Sequence, residues 1–60
     1  MFVVINTDKF NTGKVRDAIL STPKTQKEAE MEAAWLEYLM GWSSGTTQVV
    51  PFSRIQHVYR

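Results

Sequence analysis

Residues 25–42 read TQKEAEMEAAWLEYLMGW and predict the one long helix of this 60-residue chain. Alanine, glutamate, leucine, methionine and lysine dominate the segment, and all of them favour helix. Thr25 and Glu28 have the spacing of a capping box, in which each side chain satisfies a free backbone N–H group of the first turn. Gly41, or the Ser-Ser-Gly run that follows Trp42, is suited to end the helix.

The predicted helix has two apolar faces on opposite sides when its residues are placed about 100° apart. The first face is broad and aromatic and consists of Met31, Ala34, Trp35, Tyr38, Leu39 and Trp42. The second is a narrower stripe of smaller residues, Ala29, Ala33, Leu36 and Met40. Glutamates lie on the flanks between the two faces, whereas an ordinary surface helix places them opposite a single apolar face.

The aromatic face is expected to form the core, because Trp and Tyr bury large areas and a small domain needs them. Two explanations stay open for the smaller stripe. Val15 and Ile19 of a preceding helix could cover it within the same chain. Alternatively, a homodimer or a foreign partner packs across it.

The rest of the chain predicts the element order β-α-α-β-β. Residues 2–5 form a continuous apolar run rich in β-branched residues, which suits a strand buried on both faces or one paired early in a small sheet. The spacing of apolar residues predicts a short helix over residues 12–20. Residues 46–50 are strand-like, and Pro51 limits them to an edge strand or ends the strand. Residues 55–59 favour a third strand, although the spacing of Phe52, Ile55, Val58 and Tyr59 also fits a helix.

We therefore predict an α+β fold in a single domain over residues 1–60. A small antiparallel sheet of the terminal strands carries one long and one short helix packed on one side. Folding of so short a chain buries only about 60% of its unfolded surface, so its stability is marginal. The chain has no cysteine, and disulfides therefore cannot add stability. Association with a partner chain is one remaining aid.

Composition narrows the function classes. The net charge is +1, which is typical neither of a general nucleic-acid binder nor of an acidic DNA mimic. No apolar run approaches the roughly 20 residues that span a bilayer, and the N-terminus lacks a signal-peptide pattern. The chain begins with Met and carries no tag or linker. We expect a complete small gene product that acts in the cytoplasm.

Catalytic, metal and nucleotide motifs are not evident. The Asn-Thr-Gly-Lys run at 11–14 lacks the first glycine of a phosphate-binding loop and the Ser or Thr after its lysine. His57 is the single histidine and has no cysteine partner, so a protein-only zinc site is not expected. The helix glutamates lack the Glu-x-x-His pairs of a di-metal bundle. We expect a protein that is not an enzyme and that uses no cofactor or metal.

The predicted function is a small protein-binding module that inhibits or modulates a larger protein or enzyme, in the style of bacterial or phage small modulators. Its contact surface is expected on the smaller stripe, with charged residues at the rim. The expected partner-binding residues are Ala33, Leu36 and Met40, with Glu30 and Glu37 as rim charges.

The alternative function is a small dimeric nucleic-acid-binding or transcription-regulatory protein that uses its basic C-terminal strand. Cations combined with aromatic rings are typical of single-strand binders. The residues for this alternative are Arg54, Arg60, Tyr59 and Phe52.

Overall fold

A two-stranded antiparallel sheet lies between helices on its two faces in the computed structural model of the protein, which describes residues 1–58. The elements in chain order are β1 (Phe2–Asn6), α1 (Thr7–Asn11), α2 (Val15–Ala18), α3 (Gln26–Met40), β2 (Thr47–Pro51) and a 3-10 turn (Phe52–Arg54). The predicted α+β class is confirmed.

Strand β1 is the centre of the fold. Its residues Val3, Val4 and Ile5 are all 0% exposed, as a run that is apolar at every position requires. On one edge β1 pairs with β2, and Val3 lies opposite Val50. The prediction of a strand buried on both faces is confirmed.

The other edge of β1 is also hydrogen-bonded. Residues 19–24 run antiparallel to it without forming a regular strand. The N–H groups of Phe2 and Lys24 each donate to the other residue's carbonyl, at 2.7 and 2.9 Å. The N–H of Val4 donates to the hydroxyl of Ser21 at 3.0 Å. A buried strand must satisfy its backbone groups on both edges, and this segment does so.

The first face of the sheet holds the main core. Val3, Ile5 and Val50 pack there with two buried residues from outside the sheet, Ala18 of α2 and Ile55. A ring of half-buried residues surrounds this cluster: Phe10, Val15, Ile19, Phe52 and Val58. Helices α1 and α2 and the C-terminal turn therefore cover this face.

The second face of the sheet is covered by α3. Side chains alternate along a strand, so the paired residues Val4 and Val49 point away from the main core. Helix α3 contacts both strands, and its Ala29 is 0% exposed. The helices thus lie on both faces of the sheet, and the prediction that they pack on one side was wrong.

The predicted helix over residues 12–20 is also wrong in its bounds. Only residues 15–18 of it form a helix, α2, and a separate short helix, α1, precedes it. Asn6 caps α1 by accepting from the N–H of Lys9 at 3.0 Å. Helix α1 ends at Asn11, and Gly13 turns the chain with φ 86°. Helix α2 ends at Ala18, since Ile19 takes an extended conformation and pairs with β1.

The predicted third strand over residues 55–59 is not formed in its described part. After the 3-10 turn, residues 55–58 continue as turns, while Tyr59 and Arg60 lie outside the described residues. The N–H of Ile55 donates to Phe52 and that of Val58 donates to Ile55, both at 3.0 Å. These three residues all pack into the core. The helical spacing of these residues therefore predicted their burial better than the strand-like alternation of residues 55–59 did.

Helix α3 confirms the long helix. Both bonds of the capping box between Thr25 and Glu28 are present. At the other end Gly41 adopts φ 69°, and the N–H groups of Gly41 and Trp42 donate to the carbonyls of Tyr38 and Glu37. Such a left-handed residue with paired return bonds ends a helix firmly.

The centrality of β1 can be tested with the pair Ile5 and Gln48, which lie opposite each other in the sheet. We expect Ile5→Ala to lower the free energy of unfolding by about 2 to 5 kcal/mol, because it leaves a cavity in the main core. Gln48 is exposed, so Gln48→Ala should change it by less than about 0.5 kcal/mol. Urea titration followed by circular dichroism measures the free energy of unfolding of both variants. Equal losses would contradict the central position of β1.

Candidate protein-binding surface

The smaller apolar stripe of α3 faces the sheet. Ala29 is fully buried, and Ala33 and Leu36 are half-buried. The hydroxyl of Thr47 in β2 reaches the carbonyl of Ala33 at 3.5 Å. Small side chains let a helix backbone approach its neighbour closely, which accounts for alanine at these positions.

Two glutamates on the flanks of this stripe tie α3 to the two sides of the sheet. The Glu37 carboxylate accepts hydrogen bonds from the N–H and the hydroxyl of Thr47 in β2, at 3.0 and 2.8 Å. On the other side, Glu32 forms an ion pair with Lys24 in the segment beside β1. Because these contacts lie on opposite flanks of the helix, they fix its rotation about its own axis on the sheet.

That orientation places most of the aromatic face in solvent, although Trp42 is half-buried. Met31 is 63% exposed, Trp35 59%, Tyr38 78% and Leu39 57%. The prediction that this face forms the core was wrong. Of the two explanations left open for the smaller stripe, cover by Val15 and Ile19 is excluded, because the strands cover the stripe and those two residues pack on the opposite face of the sheet.

The exposed side chains form one continuous surface, which we call the aromatic patch: Met31, Ala34, Trp35, Tyr38 and Leu39. The rings of Trp35 and Tyr38 stack with their centroids 6.0 Å apart and their planes 24° from parallel. A shallow depression of about 560 Å³ lies over the patch and is lined by Met31, Ala34, Trp35 and Tyr38. On a monomer, contiguous apolar patches of several hundred Å² mark interaction sites.

Charged groups lie at the N-terminal end and along one flank of the patch. Glu28 belongs to the capping box, and Glu30 accepts a hydrogen bond from the amide of Gln26 at 3.2 Å. Lys27 is exposed in the first turn and lies near Met31 on the helix surface. The patch thus has the apolar centre and charged rim that are typical of protein interfaces.

The structure divides the expected partner-binding residues between two environments. Ala33 and Leu36 face the sheet, and Glu37 is bonded to β2. Met40 is 59% exposed and Glu30 is exposed, so both are accessible to another molecule. These five residues do not form one outward surface.

The residues of the nucleic-acid alternative are also not brought together as a surface among residues 1–58. Phe52 packs against the main core and is half-buried, so its ring is not an exposed stacking platform. The Arg54 guanidinium lies over the Phe10 ring, 5.5 Å from its centroid. Tyr59 and Arg60 lie outside the described residues.

The outer edge of β2 offers little to a partner strand. Residues 46 and 52 bond towards β1, so Thr47, Val49 and Pro51 point their backbone groups outward. The Thr47 N–H is taken by Glu37, and proline has no N–H. Among residues 1–58, the outward N–H of Val49 has no hydrogen-bond partner. Such edges resist strand addition.

Residues 1–58 contain no group of three or more His, Cys, Asp or Glu side chains that could hold a metal ion. His57 is exposed in the C-terminal turn. Within the same residues, no helix has the length and apolarity needed to cross a membrane.

Comparison of the chain with family models, with curated proteins and with solved structures gave no match.

The positions of two glutamates in the sequence indicated the orientation of α3, but the large aromatic side chains favoured the opposite orientation. Glu32 and Glu37 lie about 100° and 120° from the centre of the aromatic face, and therefore closer to the smaller stripe. Carboxylates at those angles border the buried stripe and can bond the sheet beneath it. Ranking the two faces by apolar bulk favoured the wrong one.

Substitutions on the two faces of α3 test this orientation. Tyr38→Ala should change the free energy of unfolding by less than about 0.5 kcal/mol, because the ring is exposed. Ala29→Leu should lower it by about 1 to 3 kcal/mol, because a larger side chain cannot enter the contact with the sheet. Chemical denaturation measures both. The reverse order would show that the aromatic face is buried.

The bond between Glu37 and Thr47 predicts a pH dependence. The N–H and hydroxyl of Thr47 hold the pKa of Glu37 below its ordinary value of 4.5. The charged form is therefore favoured in the folded state, and the stabilisation is present above pH 4.5 and lost as the pH falls through the lowered pKa. We expect Glu37→Gln to lower the urea midpoint at pH 7.

Acidification should reduce the difference in urea midpoint between wild type and Glu37→Gln, because protonation of Glu37 removes the same interaction. Glu30→Gln is the matched control, since it removes one carboxylate from the same helix without touching β2. A difference between wild type and Glu37→Gln that stays constant from pH 7 to pH 3 would exclude this role for the carboxylate.

Proposed function

We propose that the protein is a non-enzymatic protein-binding module that acts in the cytoplasm and inhibits or modulates a larger protein. It binds through the aromatic patch of α3, with Glu30 and Lys27 at the rim. The partner is a protein whose own apolar surface accepts the patch, and binding blocks or redirects the function of that surface.

The exposed Trp35–Tyr38 pair is the observation that carries this proposal. Two large rings remain 59% and 78% exposed in a chain that has few apolar residues to spare for its core. Trp and Tyr are the residues that most often dominate the binding energy of an interface. The two rings already stack on each other, which reduces the side-chain freedom that is lost when a partner covers them.

Two further features support the helix as the contact element. The outer edge of β2 is protected, which disfavours recognition by strand addition. The patch also follows the i, i+3, i+4, i+7 spacing with which a helix inserts into an apolar groove. Helix α3 is held at both flanks by Glu32 and Glu37, so it presents these residues on a rigid support.

Site-specific photocrosslinking tests the proposal. A photoreactive phenylalanine analogue at Tyr38 should yield a discrete adduct with another protein in the native host cell. The same analogue at Gln48, which is exposed on β2, is the matched control and should not yield that adduct. Trp35→Ala combined with the analogue at Tyr38 should reduce the adduct at least tenfold, because the central contact is lost.

Circular dichroism and the urea midpoint of each variant show that the fold is retained. Equal adducts from positions 38 and 48, or an adduct that Trp35→Ala leaves unchanged, would overturn the aromatic patch as the binding surface.

A further inference from the structure

We propose that the aromatic patch also binds a second copy of this chain, with the two α3 helices packed antiparallel about a two-fold axis. The axis passes between Ala34 and Trp35. This inference rests on the proposed function, since it uses the same patch, and it implies that self-association and binding of the larger partner exclude each other.

The size pattern of the patch suits such a pairing. A two-fold axis at this point maps each position of the depression onto another, so Met31 faces Tyr38 of the second copy and Ala34 faces its Trp35. The smallest side chain of the patch therefore packs against the largest one of the second copy. A thioether beside an aromatic ring is also a favourable contact.

Charge selects the antiparallel arrangement. Helix α3 has no basic residue in its last turn that would complement the helix dipole. An antiparallel copy brings its exposed Lys27 to that end. A parallel copy would instead place Lys27 beside Lys27 and Glu28 beside Glu28, and like charges in contact are destabilising.

The available area fits a weak dimer. The exposed parts of the patch side chains offer on the order of 500 Å² per chain, and two copies together bury about 1,000 Å². This total lies at the low end of specific interfaces, where complexes are transient. Weak pairing leaves the patch available to a tighter partner and shields it from nonspecific contacts when that partner is absent.

Sedimentation equilibrium of the pure protein from micromolar to millimolar concentration is the first test. We expect the mass to rise from that of one chain towards that of two. Ala34→Glu should raise the dissociation constant at least tenfold, because it puts a charge against Trp35 of the second copy. Gln48→Glu is the matched control and should leave it unchanged, because Gln48 lies on the opposite face of the sheet from α3.

Single cysteines test the direction of pairing in a chain that has none of its own. Under mild oxidation Ala34→Cys should form a disulfide-linked dimer, because this position lies beside the axis. Lys27→Cys should not, since the two copies of this residue are then more than about 20 Å apart along the helices. A disulfide needs Cα atoms within about 7 Å.

A mass of one chain at millimolar concentration would overturn the inference, as would a dimer that Ala34→Glu does not weaken. Efficient crosslinking through Lys27→Cys would overturn the antiparallel arrangement. If the dimer is absent but the analogue at Tyr38 still yields an adduct with another protein, the proposed function stands. If the dimer forms but no adduct with another protein is found, the pairing stands and the proposed function is excluded.

Discussion

The hydrogen bonding of β1 on both of its edges is the constraint on which the rest of the structure depends. A strand that is apolar at every position must be covered on both faces, and its backbone must be satisfied on both sides. Strand β2 supplies one edge and residues 19–24 supply the other. The need to form that second edge ends α2 at Ala18 and delivers the chain to the start of α3 on the opposite face.

Once α3 lies on that face, its orientation about its own axis decides the molecular surface. Ala29 and Ala33 allow close approach to the sheet, and the carboxylates of Glu32 and Glu37 bond to opposite sides of it. Trp35 and Tyr38 must then point outward. The exposure of the aromatic patch is thus a consequence of local packing and polar contacts, and it leaves the protein with an exposed apolar surface that its own core does not need.

The main core is small, and it depends on residues from distant parts of the chain. Val3 and Ile5 meet Val50 of β2 and Ile55 of the C-terminal turn, so both ends of the chain are needed to close it. The core does not include the large aromatic face of α3. Helices cover both faces of the sheet without it, and the buried residues are mostly β-branched and aliphatic.

The sequence by itself determined the buried strand at residues 2–5, the long helix with its capping box and glycine end, and the α+β class, because these follow from local propensity, capping and periodicity. Only the tertiary structure decided which face of α3 is inside, since both faces are apolar and the choice depends on Lys24 and Thr47 reaching Glu32 and Glu37. It also decided that Ile55 and Val58 pack into the core. The exposed apolar surface therefore lies on the helix that the sequence singled out but not on the face expected to bind a partner, because contacts between residues distant in the sequence fix that choice.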